Sequence, residues 1–171
     1  MNAQVIQNTI RFLALVFLQV TVFNNIAING LFNPFVYVLF VLMLPSSTSH
    51  WVVVAMSFLI GLSVDVFLNT PGLHAGASAF MGYIRQFWLD ILLKVENKSK
   101  VNAIATFDFS QFTVYASALI FMHHLWLFMA EWFRFGEIHL ILLKVVLSTL
   151  LSCICVVVFR YLFQGKVYSN D

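Results

Sequence analysis

Long apolar runs separated by short polar turns fill most of this 171-residue chain. Only 9% of the residues are charged and 61% are hydrophobic, whereas a soluble domain has about 25% charged residues. In water such a chain would expose a large apolar surface, so the composition predicts an all-α integral membrane protein. The length allows one membrane domain, residues 1–171, and no sizeable soluble domain. The runs predict six transmembrane helices at about 11–25, 31–44, 51–68, 73–93, 109–130 and 138–163.

The run at 31–44 is the shortest of the six. As a helix it would measure about 21 Å, which is less than a hydrocarbon core of about 30 Å. We therefore expect the second span to be thin, tilted into its neighbours, or extended through the polar segment before it.

Charge differs between the two ends of the predicted bundle. Six spans place both termini on one side, together with the basic segment Lys94–Lys100, Arg160 and Lys166. Because lysine and arginine concentrate in cytoplasmic loops, this distribution predicts cytoplasmic N- and C-termini. A net charge of +2 is too small and too scattered to indicate a nucleic acid partner. The opposite end carries the acidic residues Asp65, Glu131 and Glu137.

The connection between the third and fourth spans places ionisable groups beside apolar sequence. Residues 69–72, Asn-Thr-Pro-Gly, are short enough to force an antiparallel hairpin, with Asp65 before the turn and His74 just after it. A central Asp in a membrane helix costs about 2.5–3.5 kcal/mol on the insertion scale, so it usually faces a protein interior or a wet cavity. We expect Asp65 to accept a hydrogen bond from His74 or from the N-terminus of the fourth helix. The sequence leaves open whether Asp65 is a structural cap or a ligand or proton site.

Arg85 is the second ionisable residue of this region. It lies about 18 Å along the fourth helix from Gly72, too far to reach Asp65 in a regular hairpin. We expect it to contact Asp90, Gln86 or a polar group on another helix, or to extend toward the cytoplasmic side.

Small residues line the fourth span in pairs four positions apart: Gly72 and Gly76, Ala75 and Ala79, and Ser78 and Gly82. In lipid this spacing lets helix backbones approach closely, where no hydrophobic force favours association. Gly61 shares a face of the third helix with Asp65 for the same geometric reason. The pattern predicts either tight packing of the third and fourth helices or a docking face for a partner helix.

Two adjacent histidines in the fifth span are the nearest approach to a metal-binding pattern. His123, His124 and Glu131 lack the HExxH motif and any matching carboxylate pattern on a second helix, so we expect no metal site and no cofactor. Gln111 and His124 are candidate polar anchors of a small-molecule pocket. Gln111 also fits a capping box with Asp108 at the start of the fifth span.

The sequence contains none of the common catalytic signatures. Phosphate-binding glycine loops and nucleophile elbows do not occur, so we predict no catalytic residue. An intramembrane enzyme using Asp65 or His124 as an acid or base would need a second group within hydrogen-bond reach, and the spacing specifies none.

The stretch GLSVDVFLNTPGLHAGASAFMGYIR, residues 61–85, resembles the signature region of the bacterial rod shape-determining MreD family. In that family a Gly-x-x-x-Asp segment ends one helix, a Gly-Leu-His-Ala turn opens the next, and an aromatic residue follows. The matching positions here are Gly61, Asp65, Gly72, Leu73, His74, Ala75 and Tyr83. Many family members carry a Gly-Gly pair and an extra residue where this chain has Asn69 and Thr70.

The resemblance implies a fold similar to the small substrate-binding subunits of energy-coupling-factor transporters. It also implies a multi-pass protein of the bacterial inner membrane that is a scaffold rather than an enzyme. The expected partner is an MreC-like single-span protein, and through it MreB, RodA and a class B penicillin-binding protein. The implied role is to help position lateral peptidoglycan synthesis and so maintain cell shape.

A transport role is the main alternative. A vitamin-type solute could bind in an aromatic cavity with Asp65, His74, Gln111 or His124 as polar anchors. The sequence does not distinguish such a binding subunit from a scaffold that shares its fold.

Overall fold

A computed structural model describes residues 3–26, 33–95, 104, 107–132 and 138–164. Its described residues form α-helices and one 3₁₀ turn, with no β-strand among them. The basic segment 96–100, Glu137 and Lys166, on which the predicted orientation partly depends, lie outside the described residues. The α-helices are α1 (Ala3–Thr21), α2 (Val38–Met43), α3 (His50–Leu68), α4 (Leu73–Val95), α5 (Phe109–Trp132) and α6 (Ile138–Gln164).

Four helical segments are long and apolar enough to cross a membrane: Val5–Asn25, His50–Leu68, Phe109–Glu131 and Ile138–Leu162. The exposed positions on these segments are largely apolar, as expected for surfaces that face lipid. The chain therefore has the character of a helical membrane protein. The helix α4 is not among the four, and it carries Arg85, Gln86 and Asp90 in its second half.

The second apolar run differs most from a regular span. Only Val38–Met43 is α-helical, and residues 33–36 are not helical. A six-residue helix is about 9 Å long, so α2 cannot cross a bilayer as a helix. The whole segment from Phe35 to Leu42 is nevertheless at most 3% exposed. A continuous helix over 31–44 is thus not formed.

A buried non-helical backbone needs hydrogen-bond partners from elsewhere, because the surrounding helices and lipid offer no water. Gln19 of α1 supplies them at the start of the segment: its Oε1 accepts from the backbone N–H of Val36 at 2.7 Å and of Tyr37 at 3.3 Å. Its Nε2 donates to the Pro34 carbonyl at 3.2 Å. The Phe35 N–H donates to Ser152 Oγ of α6 at 2.8 Å.

The other end of α2 presents carbonyl groups that are capped by side chains from three helices. Arg85 of α4 is fully buried, and it donates to the Leu44 carbonyl and, through Nε at 2.9 Å, to the Tyr115 hydroxyl. Tyr115 of α5 donates to the Leu42 carbonyl at 3.2 Å, and Arg11 of α1 lies 3.5 Å from the Met43 carbonyl. Cations suit this position because the C-terminus of a helix carries partial negative charge. Arg85 therefore uses a polar group on another helix, which was one of the three expected partners.

The remaining helices pack as antiparallel neighbours around this central segment. Gly61 of α3 lies against the start of α4, and Gly82 of α4 lies against Ser57 of α3. Gly76 of α4 lies against the Trp126 ring of α5. Arg160 near the end of α6 stacks 3.8 Å from the centre of the Phe112 ring near the start of α5. The bundle thus closes around residues 33–44.

The hydrogen bonds of Gln19 should contribute more to the unfolding free energy than those of an exposed polar residue on the same helix. Gln19→Leu leaves the Val36 and Tyr37 N–H groups buried without an acceptor, and we expect a loss of about 2 kcal/mol in unfolding free energy. The measurement is a denaturing-detergent titration of the purified protein. Thr21→Val is the matched control, because the exposed Thr21 hydroxyl donates only to the Phe17 carbonyl of its own helix. Equal losses in the two variants would contradict the assigned role of Gln19.

Candidate functional site

The Asp65 carboxylate joins the end of α3 to the start of α4. Its Oδ2 accepts from the Ala75 N–H at 2.8 Å, and its Oδ1 accepts from the His74 N–H at 3.0 Å. The same Oδ1 also accepts from the Thr70 hydroxyl at 2.8 Å and from His74 Nδ1 at 2.9 Å. Both hydrogen bonds expected from the sequence are therefore present. Asp65 caps a helix other than its own, and its negative charge lies at the positive end of α4.

The turn between the helices has the backbone conformations that this cap requires. Asn69 ends α3 in the left-handed region with φ of 57°, and its N–H donates to the Asp65 carbonyl. Asn tolerates this region better than most residues. Gly72 has φ of +83°, which favours glycine because it lacks a Cβ atom. The turn brings α4 back against α3 within four residues, as the sequence predicted.

Gly61 allows the two helices to meet backbone to backbone. A Cβ atom at this position would lie 2.3 Å from the His74 carbonyl oxygen and 2.7 Å from the Ala75 Cα atom. The contact is at the residues whose N–H groups Asp65 caps. Gly61, Asp65, Gly72, His74 and Ala75 therefore form one structural unit, which we call the capped hairpin.

A second group of polar side chains lies inside the bundle, around the rings of Phe35 and Tyr37. Phe35 lies 5.4 Å from the His74 ring, 6.3 Å from the His123 ring and 5.3 Å from the His124 ring, measured between ring centroids. All three histidines are buried. The group, which we call the histidine core, consists of Tyr37, His74, Ser78, His123, His124 and Ser152.

Hydrogen bonds fix the tautomer of His124. Its Nδ1 lies 2.7 Å from the Ile120 carbonyl oxygen, which can only accept, so Nδ1 carries the hydrogen. Its Nε2 is then an acceptor, and Ser152 Oγ donates to it at 3.3 Å. Ser152 in turn accepts from the Phe35 N–H, so Nε2 of His124 contacts the side chain that binds the start of the non-helical segment.

His123 has a different environment. Its Nε2 lies 2.8 Å from the Tyr37 hydroxyl, and Ser78 Oγ donates to that hydroxyl at 3.5 Å. The Tyr37 hydroxyl and Nε2 share a hydrogen bond, and the tautomer of His123 decides which of the two donates. Nδ1 is buried without a hydrogen-bond partner in the described part of the chain.

The small face of α4 is used for packing within the chain. A Cβ atom added at Gly76 would overlap the Trp126 ring, and one added at Gly82 would overlap the Ser57 hydroxyl. Ala79 is partly buried. Of the two predicted uses of Gly76, Ala79 and Gly82, helix packing is thus the one that the structure supports. A docking face at Gly76 and Gly82 is not available, because α3 and α5 of the same chain cover these residues.

The two candidate anchors of a polar pocket are far apart. Gln111 lies in a capping box, where its N–H donates to Asp108 Oδ1 at 2.8 Å and its Oε1 accepts from the Asp108 N–H at 3.2 Å. His124 is thirteen residues later, about 20 Å along the same helix. Gln111 and His124 therefore do not line a common pocket.

Tyr83 is the one residue of the resembling motif that lies outside the capped hairpin. It is 57% exposed, and its ring packs against His50 with centroids 5.2 Å apart. Its hydroxyl makes no hydrogen bond within the described residues.

The described residues contain no group of three or more His, Cys, Asp or Glu side chains that could hold a metal ion. Glu131 pairs instead with Lys144 at 3.1 Å.

Several residues of the histidine core escape sequence analysis. Tyr37, Ser78 and Ser152 are polar residues in apolar runs, and Gln19 is one of two polar residues in the run 12–23. The sequence shows each of them as a polar side chain inside an apolar run. This pattern predicts that the side chain has a buried partner, but it does not identify the partner.

Comparisons with protein-family models, with curated proteins and with solved structures find no match to this chain. The capped hairpin and the histidine core are therefore interpreted from their contacts and distances alone.

Removing the Asp65 carboxylate should destabilise the hairpin. Asp65→Ala leaves two buried backbone N–H groups of α4 without an acceptor, and we expect a loss of about 2 kcal/mol in unfolding free energy. Asp65→Asn keeps one acceptor oxygen and should lose less. The control is Ser63→Ala, because Ser63 donates only to the Leu59 carbonyl of its own helix. An Asp65→Ala protein as stable as the control would exclude the capping role.

Two glycines of the hairpin should respond differently to alanine. Gly61→Ala places a methyl group on the backbone of α4, and we expect a loss of about 3 kcal/mol or a failure to accumulate in the membrane. Gly72→Ala meets no atom within 4 Å, so it should cost only the strain of a positive φ, about 1 kcal/mol. Thermal unfolding of both variants in detergent tests the order, and a larger loss at Gly72 would be incompatible with the observed close approach at Gly61.

Proposed function

We propose that this chain is a non-catalytic membrane scaffold of the bacterial cell-elongation complex, similar to the MreD family. It would bind an MreC-like single-span protein, and through it MreB, RodA and a class B penicillin-binding protein. In this role it helps to position lateral peptidoglycan synthesis in the inner membrane.

The observation that carries the proposal is the capped hairpin. Five residues that produce the sequence resemblance, dispersed over positions 61–75, make one set of contacts in the structure. Gly61 permits the close approach, Asp65 caps α4, and Gly72 allows the turn. These five residues depend on one another to form a single local structure. That mutual dependence supports the family resemblance over a chance match.

The chemistry of the polar residues also supports a structural role. Both Asp65 oxygens accept hydrogen bonds from the hairpin, and both nitrogens of His124 are engaged. A catalytic acid or base needs a free lone pair or proton beside the substrate. Asp65 and His124, the two candidate acids or bases, are instead parts of separate hydrogen-bonded contacts.

The proposed topology has six membrane passes with cytoplasmic termini. Segment 33–44 runs antiparallel to α1, since Gln19 contacts its start and Arg11 its end. The passes are then α1, segment 33–44, α3, α4, α5 and α6, and an even number places both termini on one side. The side that carries the basic segment 94–100, with Arg160 and Lys166 near it in the proposed topology, is the cytoplasmic one by the positive-inside rule.

Tyr83 is the candidate contact for the partner. It belongs to the resembling motif, it takes no part in the capped hairpin, and it is exposed on α4. A tyrosine ring and hydroxyl facing lipid can pack against a second helix and hydrogen-bond to it.

Exchange of Tyr83 should weaken partner binding without altering stability. We expect Tyr83→Ala to reduce recovery of a co-expressed MreC-like single-span protein at least fivefold, with an unchanged melting temperature. Phe17→Ala is the matched control, because Phe17 is a similarly exposed aromatic residue on α1. Full recovery with Tyr83→Ala would remove this residue from the interface. A failure of the unsubstituted protein to recover the partner would contradict the scaffold function itself.

One observation favours a second function, that of a small-molecule binding subunit of a transporter. Discontinuous helices near polar side chains mark the solute sites of many transporters, and segment 33–44 is discontinuous. Native mass spectrometry of gently extracted protein separates the two functions. A stoichiometric vitamin-sized ligand or bound ATPase subunits would indicate transport, and a single-span partner without a ligand would indicate a scaffold.

A further inference from the structure

Two arginine side chains from different helices bind consecutive carbonyl groups at the end of α2. Arg11 Nη1 of α1 lies 3.5 Å from the Met43 carbonyl oxygen, and Arg85 Nη2 of α4 donates to the Leu44 carbonyl. The Cα atoms of consecutive residues are about 3.8 Å apart, so the two guanidinium groups are neighbours. A helix end carries only about half an elementary negative charge. Two full positive charges therefore meet a partial negative charge at this point.

The described residues supply no carboxylate to balance these charges. They include four acidic side chains, and none of the four contacts Arg11 or Arg85. A charge in a region of low dielectric is costly when no opposite charge lies beside it. Asp65 caps α4, Glu131 pairs with Lys144, Asp90 accepts from Gln86 Nε2, and Asp108 accepts from the Gln111 N–H.

The two arginines differ in how far they are enclosed. Arg85 is fully buried, and its Nη1 has no hydrogen-bond partner within the described residues. Arg11 is only partly buried, and its Nη1 makes two long contacts, at 3.4 Å to Asn8 Oδ1 and at 3.5 Å to the Met43 carbonyl. The other donors of Arg11, on Nε and Nη2, make no hydrogen bond in the described part of the chain. An anion from outside the bundle can therefore reach Arg11, and Arg85 adds a second positive charge nearby.

The sequence around Arg11 shows the depth at which such an anion would lie. The polar residues 7–9 precede Arg11 on α1, and the apolar run 12–23 follows it. The turn after Met43 leads to Trp51, which is 73% exposed at the start of α3. Tryptophan is enriched where a membrane meets water. Arg11 thus lies at the boundary between the lipid headgroups and the acyl chains.

An apolar surface continues from Arg11 along the same face of α1. Ala14 and Leu18 follow Arg11 by three and seven positions, so the three residues share one face of the helix. Ala14 is exposed, Leu18 is partly exposed, and the neighbouring Phe17 ring is 65% exposed. The face extends about 10 Å from Arg11 to Leu18. One molecule with a phosphate and an acyl chain can therefore contact both the cation and this surface.

We propose that Arg11, with the charge of Arg85 beside it, binds the phosphate of an anionic phospholipid. A guanidinium group binds phosphate through two parallel N–H···O hydrogen bonds, and basic pockets between membrane helices are known sites for anionic headgroups. Phosphatidylglycerol has a net negative charge and balances the two cations. Phosphatidylcholine carries its own ammonium group and balances them less. This inference is independent of the scaffold function, because it depends only on the surroundings of Arg11 and Arg85.

The test is native mass spectrometry of the full chain, purified in a neutral detergent and titrated with phosphatidylglycerol. We expect one lipid to bind more tightly than all others, and Arg11→Gln to weaken this first binding step about fivefold. Arg11→Lys keeps the charge but lacks the planar fork, so its loss should be smaller. Lys144→Gln is the matched control, because it removes the same charge from the pair with Glu131 at the opposite end of α5, and it should leave the first step unchanged.

Two further titrations distinguish the chemistry of the ligand. Phosphatidylcholine with the same acyl chains should bind more weakly than phosphatidylglycerol to the unsubstituted chain, and millimolar inorganic phosphate should not displace the bound lipid. Equal binding of the two lipids, or an unchanged first step in Arg11→Gln, would overturn the proposal. Displacement by inorganic phosphate would also overturn it, since the site would then be one for a free anion. If Arg11→Gln does not accumulate, Arg11→Lys and the comparison of the two lipids decide the question.

Discussion

The central constraint on this structure is a stretch of buried backbone that has no helix of its own to satisfy it. Residues 33–44 pass through the middle of the bundle, yet only Val38–Met43 is helical. A buried backbone N–H or C=O group that lacks a helical hydrogen bond would cost several kcal/mol without another partner. Gln19 and Ser152 accept hydrogen bonds from backbone N–H groups at the start of the segment, and Arg85 and Tyr115 donate to carbonyl groups at its end. Polar side chains of four helices thus bind the backbone of one segment.

The same logic explains why buried arginine and histidine coexist with an apolar exterior. Arg85 meets the carbonyl groups at the end of α2, and His124 supports the serine that binds the start of the segment. Asp65 lies apart from both and closes α3 onto α4. The bundle therefore has a polar layer at each end of segment 33–44 and a capped hairpin beside it. This arrangement gives Asp65, Arg85 and His124 hydrogen-bond partners inside a bundle with a largely apolar exterior.

Sequence reasoning reached the hairpin because its determinants are local. Asp65, the turn at 69–72 and His74 are close in the chain, so helix geometry alone brings them together. The same reasoning left open whether the small face of α4 packs within the chain or meets a partner, since spacing shows that a backbone can be approached but not which helix approaches it. It also named Gln111 and His124 as candidate anchors of a polar pocket, and these two residues lie about 20 Å apart along α5.

By itself the sequence determined an all-helical chain of membrane character, the positions of the long apolar helices and the capped turn between α3 and α4, because hydropathy, helix period and turn chemistry are properties of neighbouring residues. Only the tertiary structure decided that the second run is broken, that Arg85 caps α2, and that His74, His123 and His124 meet around Phe35. Such long-range contacts join residues as far as 117 positions apart, as Phe35 and Ser152 show. Their partners are selected by the packing of whole helices, which no local pattern specifies.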